Sequence, residues 1–192
     1  MTPDITPSAQ GPYSEAIRAL RARILKPIRQ GTRKILFTSA WPQEGKTRTL
    51  LALGQSLGEF GLRALLVDGD LRTSSLSLRC GFPKPDRDWN FQVFCWKEIF
   101  FCPIGAHTLL PEDVIAHPRM RQWFVEKASH FDVILVDSPS LSRCSDGLLW
   151  AQLCQAALMV SKKSRFQGIP EGNFCEDLRD QGCQVLGVVL CR

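Results

Sequence analysis

The residues best equipped for chemistry lie in "SAWPQEGKTRT", Ser39 to Thr49. The spacing Ala40-x-x-x-x-Gly45-Lys46-Thr47 fits a phosphate-binding loop, with Ala in place of the first Gly. A phosphate chain needs inward backbone N–H groups, a glycine where a side chain would block the approach, and a helix N-terminus aimed at the anion. Lys46 would then reach the terminal phosphates of a triphosphate, and the Thr47 hydroxyl would hold Mg²⁺. The candidate nucleotide-binding stretch is Trp41, Pro42, Gln43, Glu44, Gly45, Lys46, Thr47 and Arg48. Its setting suits the role. Ile35, Leu36 and Phe37 read as a buried strand before it, and Leu50, Leu53, Leu57 and Phe60 recur at helical spacing after it.

Carboxylates form the second set. Asp68 and Asp70 end the apolar run "RALLVDGD", with Arg72 just beyond, and Asp137 ends "FDVILVD". "SRCSD" closes on Asp146. A lone aspartate at a strand end is usually a turn or a helix cap. An aspartate ending a strand far downstream of a phosphate loop is instead the arrangement that orders Mg²⁺. Thr47 and Asp137 are the candidate Mg²⁺ residues from this pattern.

The elements that would position these residues alternate between helical and strand patterns. A helix is expected over Tyr13 to Ile28, with Ser14 as N-cap, Ile17, Leu20 and Ile24 on one face, and Pro27 limiting its end. Gly61 should stop the loop's helix. Residues 80–97 show no clear period, and Ile99 to Gly105 reads as a third strand. A helix from Pro118 to Ser129 precedes the Asp137 strand, and two further helix–strand pairs follow. Continuous apolar strands alternating with helices predict an α/β fold: a doubly wound, mainly parallel sheet with helices on both faces. Ligands then sit beyond the carboxyl ends of the strands. Residues 1–12 are polar and Pro-rich and read as a flexible lead, leaving residues 13–192 as one domain.

Composition sets outer bounds. The 192 residues carry a formal net charge of +5, spread without a long basic block, so nucleic acid is not an expected partner. No apolar stretch approaches the ~18 residues that a membrane helix needs. The eight cysteines form no Cys-x-x-Cys pair and only three histidines accompany them, which argues against zinc. Cys154 and Cys183 read as small core residues, and all eight as reduced thiols.

Together these motifs resemble the bacterial tyrosine kinases (BY-kinases). "VDGDLR" looks like their Walker A′ motif, "VILVDSPS" their Walker B, and "TSAWPQEGKT" their variant phosphate loop. "YSEAIRALRARI" is similar to their N-terminal helix, with Glu15, Arg18 and Arg21 on its Glu-x-x-Arg-x-x-Arg pattern. "LLPEDVIAHPRMRQWF" resembles the segment before their Walker B strand. The match runs in order from about Gly11 to the C-terminus. The resemblance implies a P-loop NTPase fold in three layers and a cytoplasmic ATPase/kinase domain of capsule or exopolysaccharide chain-length control. It would sit at the inner face of the membrane through a co-polymerase partner that activates it, and would form homo-oligomeric rings through Glu15, Arg18 and Arg21. By position, Lys46 would bind phosphates and Asp68 would activate the acceptor hydroxyl. Asp70 would assist at the metal, Thr47 and Asp137 would serve it, and ATP with Mg²⁺ would be the cofactors.

Departures from the pattern define the alternative. Arg48 stands where the family has a second Ser or Thr, Gln43 replaces a frequent Gly, and Cys191 replaces an Asn that helps read adenine. The stretch between Gly81 and Ile99 is shorter than in the family. The chain holds a single tyrosine, Tyr13, and no tyrosine cluster. That favours a second reading, an ATP-dependent assembly module of the same export system that phosphorylates nothing. A chromosome-partitioning or septum-site ATPase would carry a second lysine early in the loop. Trp41 occupies that position.

Overall fold

The computed structural model describes residues 12–82, 91–96, 98–105 and 108–191. The elements in chain order are α1 (Pro12–Arg29), β1 (Lys34–Thr38), α2 (Lys46–Glu59), β2 (Ala64–Asp68), α3 (Ser75–Cys80), β3 (Phe94–Trp96) and β4 (Ile99–Pro103). Then come α4 (Pro111–Ala116), α5 (Pro118–His130), β5 (Val133–Asp137), α6 (Asp146–Leu153), β6 (Ala156–Lys162), α7 (Ile169–Asp180) and β7 (Gln184–Cys191). The seven strands form one sheet in the order β3-β4-β2-β5-β1-β6-β7. Every pairing is parallel except β3 with β4.

The three layers follow from strand periodicity. Alternate residues of a strand face opposite sides of a sheet. Leu36, Leu65, Val67, Ile134 and Val136 therefore join one core, with Val114, Phe124, Trp150 and Leu178 from the helices on that face. Ile35, Phe37, Leu66, Val133 and Leu135 join the other, with Ile24, Leu50, Leu53, Leu57 and Leu76. Burial on both faces is why β2 and β5 read as unbroken apolar runs. The expected doubly wound α/β fold is the fold observed.

Several local expectations are corrected. Residues 80–97 are not wholly irregular: β3 is a three-residue antiparallel edge strand, and Cys80 ends the short helix α3. Residues 83–90 and 97 lie outside the described part. Pro27 does not end α1, which runs to Arg29, and Ser14 is inside the helix and not its cap. The third strand stops at Pro103. The expected flexible lead, residues 1–12, falls outside the described residues except for Pro12, which opens α1.

The order β2-β5-β1 positions the site. The register sets Phe37 opposite Asp137, and Asp137 opposite Asp68. The loops after β1, β2 and β5 therefore leave the sheet side by side. Leu141 N donates to Ser39 O at 2.9 Å and Ser142 N to Ala40 O at 3.1 Å, lacing the loop after β5 to the loop after β1.

Candidate nucleotide site

Gly45 occupies a left-handed conformation, φ 89°, immediately before α2. No side chain caps that helix and its first turn holds no acid, so its free N–H groups and positive dipole end face the crevice. Gln43 is also left-handed, φ 62°, a conformation that disfavours any residue with a Cβ. Above the loop opens a cavity of about 400 Å³. Lys46, Arg48, Arg79 and Arg143 line it, and Asp70 is an acid on its wall.

Beneath the cavity the carboxylates are buried. Lys46 Nζ lies 3.2 Å from Asp137 Oδ1, and Asp137 is 0% exposed. Burial pushes the Asp137 carboxyl up from its ordinary range, while Lys46 and Thr47 oppose the rise. Asp68 accepts bonds on Oδ2 from Ser77 N at 2.7 Å and from Ser77 Oγ. Burial first, then the nearby charge of Asp137, raises its carboxyl from 3.8 to about 7. Asp70 differs: Thr73 N donates to its Oδ1 and Thr73 Oγ1 to its Oδ2, so its carboxylate closes a turn at the cavity wall.

Gly69 joins the two acids and requires its lack of a side chain. Its N–H donates to Asp137 O at 2.8 Å, and Trp150 Nε1 donates to its carbonyl at 2.8 Å. A Cβ there would stand 2.9 Å from both neighbours. The sharp approach holds the β2 loop against the β5 loop.

Not every loop residue points at the cavity. Glu44 is 1% exposed, and its Oε2 accepts from Lys162 N of β6 while Oε1 faces Arg165 at 3.7 Å. Its side chain anchors the loop, and the residue also lines the cavity. Trp41 is 42% exposed at the loop's outer edge. Arg79 on α3 and Arg143 after β5 were not among the sequence candidates, though Arg143 lies in the flagged "SRCSD" stretch. Arg72 and Asp146 form a separate brace. Arg72 donates twice to Asp146, at 2.9 Å each, and once to Glu112 at 2.8 Å. Cys191 also packs at the loop, its Sγ 3.4 Å from Thr49 Oγ1.

The buried acids fit a divalent cation. Asp68 Oδ1 has no hydrogen-bond partner among the described residues, and the buried Asp137 carboxylate is met only by Lys46 and Thr47 of the phosphate loop. Those residues contain no cluster of three or more acidic, His or Cys ligands that could form a complete protein cage. That is the usual situation for Mg²⁺, which keeps waters and phosphate oxygens as most of its ligands. All eight cysteines are free thiols, and Cys154 and Cys183 are buried as expected. No helix among the described residues is long and apolar enough to cross a membrane.

No protein-family model matches the chain. A putative tyrosine-protein kinase, EpsB of Ralstonia nicotianae, is 25% identical over 193 residues, covering 93% of this chain and 25% of that protein. Tyrosine-protein kinase CpsD of Streptococcus pneumoniae is 24% identical over 173 residues, covering 81% of this chain and 74% of that one. The chain thus spans about a quarter of the first relative's length. The kinase domain of Escherichia coli tyrosine kinase ETK superposes with a TM-score of 0.83 at 21% identity, over 92% of this chain and 74% of that one. The septum-site protein MinD of Pyrococcus horikoshii, solved with Mg-ADP, superposes at 0.68 with 25% identity, over 83% and 70%. The motifs, the sequence relatives and the fold agree: this chain is similar to the bacterial tyrosine-protein kinases.

Proposed function

We propose that the chain is a nucleotide-dependent phosphotransferase of the BY-kinase type. It binds Mg-ATP and passes the γ-phosphoryl group to protein tyrosine, at the cytoplasmic face of the membrane, with a co-polymerase partner in capsule or exopolysaccharide assembly. The observation that carries this reading is the Lys46–Asp137 pair, set beside the buried Asp68 carboxylate, whose Oδ1 accepts no bond, under a cavity lined by four cations. Four cations suit a triphosphate and the charge it develops during transfer. Thr47 and Asp137 would hold Mg²⁺, which neutralises phosphate charge when bound. Asp68 is the base. With its carboxyl near 7 it can take the proton of a tyrosine hydroxyl as that oxygen bonds to the γ-phosphorus. The bond from the γ-phosphorus to the β,γ-bridging oxygen breaks, and ADP leaves.

A second reading, the non-phosphorylating assembly module, is favoured by one contact. Tyr13, the single tyrosine, is half-buried and its hydroxyl donates to Arg48 O at 3.4 Å. It is not presented as an acceptor. The two readings separate when the purified chain is incubated with ATP and Mg²⁺, alone and with the cytoplasmic segments of a membrane partner, and phosphotyrosine is mapped by mass spectrometry. Phosphotyrosine on the partner, lost in Asp68→Asn, is the expected result. ATP hydrolysis without phosphotyrosine in either arm makes the module the better reading.

A further inference from the structure

Arg48 is the third residue of α2, at the positive end of that helix. A cation there opposes the helix dipole. Among the described residues no carboxylate pairs with Arg48, whereas Lys46, two residues earlier, pairs with Asp137. Arg48 lines the cavity. Helix stability and internal ion pairing therefore both fail to explain it, and an incoming anion explains it well.

The other observation is what holds Arg48. The ring of Tyr13, from the first turn of α1, lies under the Arg48 guanidinium with 4.4 Å between Cζ and the ring centroid. A cation over an aromatic face is attracted to it and loses freedom to turn elsewhere. The Tyr13 hydroxyl reaches the Arg48 carbonyl, which fixes the ring along the same turn. Farther along α1, Arg21 donates to Ser56 O and Ser56 Oγ and stacks on Phe60, the residue that caps α2, at 4.9 Å. The first helix is thus held to the loop's helix at its first turn and again at its middle.

We propose that Tyr13 is a positioning residue for nucleotide: it holds the Arg48 guanidinium at the cavity to meet the polyphosphate, so that nucleotide affinity depends on the docking of the first helix. This rests on the nucleotide reading above. Its consequence is regulatory. A partner that lifts the first turn of α1 releases Arg48 and weakens nucleotide binding, without touching Lys46 or the acids.

The test titrates a fluorescent ATP analogue, with Mg²⁺, onto wild type, Y13F, Y13A, R48A, the double variant Y13A/R48A, and K46M. Loss of the Arg48 contact should weaken binding about tenfold. Y13A should weaken it about three- to tenfold, and Y13F, which keeps the ring, less than about twofold. The double variant should bind no worse than R48A, because Tyr13 acts only through Arg48. If R48A binds like wild type, or the losses from Y13A and R48A multiply, the proposal is overturned while K46M still reports on the nucleotide reading. A structural defect from Y13A would weaken binding in the R48A background too, so it counts against the proposal. K46M binding as tightly as wild type, or a wild type that binds nothing, overturns the nucleotide reading itself.

Discussion

Lys46 and Asp137 stand 3.2 Å apart at the junction of the phosphate loop and the central strand β5, and the aspartate has no solvent exposure. A buried carboxylate keeps its charge only beside a counter-charge. Lys46 would therefore have two tasks: to meet phosphate, and to oppose the rise that burial imposes on the Asp137 carboxyl. Lys46→Met should weaken Mg-ATP binding about ten- to a hundredfold, the value of a charge-assisted contact. Calorimetric titration against wild type checks this, and equal affinities would sink the loop assignment.

Asp68 predicts a pH dependence of stability in the absence of nucleotide. Its carboxyl rises from 3.8 to about 7 in the folded chain, by burial and by Asp137. Between those values the native state holds a proton that the unfolded chain has lost. The contribution is complete below about pH 4, falls as pH rises through about 7, and is gone above it. Asp68→Asn should remove that slope and raise the unfolding free energy at pH 8 by about 1–4 kcal/mol. Urea unfolding at pH 5.5 and pH 8 measures it; parallel pH profiles for the two proteins would show that Asp68 is not the titrating group.

Glu44 lies in the loop but should act on stability as well as on binding. Its buried carboxylate accepts from the Lys162 N–H and faces Arg165, tying the loop to the end of β6. Glu44→Ala leaves a backbone donor without its partner, at about 1–3 kcal/mol. Glu44→Gln keeps an acceptor in place and should lose less. Unfolding curves rank the two variants; equal losses would mean that the hydrogen bond donated by Lys162 N contributes nothing.

The parts of this site legible in the sequence were those whose residues are contiguous. "KILFT" into "SAWPQEGKT", and the aspartates ending "LLVD" and "VILVD", announce themselves because burial on both sheet faces forces unbroken apolar runs. That Asp68 and Asp137 are register partners needed the order β2-β5-β1, and nothing local encodes which parallel strands are neighbours. Arg79 and Arg143 reach the cavity through a six-residue helix and a laced loop, both too short to show a period. Position placed Glu44 in the loop that lines the cavity, but not the contacts of its carboxylate with Lys162 N and Arg165, which come from the far end of β6. The three-residue strand β3 carries too few positions for any alternation to show.

Gly69 should tolerate no side chain without cost to the site. The Cβ of Gly69→Ala would meet Asp137 O and the Trp150 indole at 2.9 Å, so the β2 and β5 loops must part. Overpacking of this kind costs about 1–3 kcal/mol. Because Asp68 and Asp70 flank the glycine, catalytic turnover should fall more than nucleotide affinity does. Turnover and binding measured on the same preparation separate these effects, and a variant with wild-type turnover would show that the close approach is not needed.

The Glu15, Arg18 and Arg21 stripe is the last test, and the structure changes how it must be done. Arg18 pairs with Glu15 at 2.6 Å on the exposed side of α1, so both groups are free to exchange that contact for one across an interface. Arg21 is already engaged by Ser56 and Phe60 within the chain. Replacing it loosens α1 from α2, so a loss of assembly in an Arg21 variant would not identify an interface. Arg18→Ala and Glu15→Ala are the clean variants. An exposed i,i+3 pair contributes only about 0.2–0.5 kcal/mol to the fold, and their unfolding curves should stay close to wild type. If Glu15 and Arg18 bridge neighbouring copies, each variant should shift the mass measured by light scattering toward the monomer, with Mg-ATP present and the cytoplasmic segment of a candidate membrane partner supplied. Charge exchange, Glu15→Arg with Arg18→Glu, should restore assembly where each single reversal abolishes it. Wild-type and variant proteins of the same mass in every condition would leave the stripe as an ordinary solvated helix face.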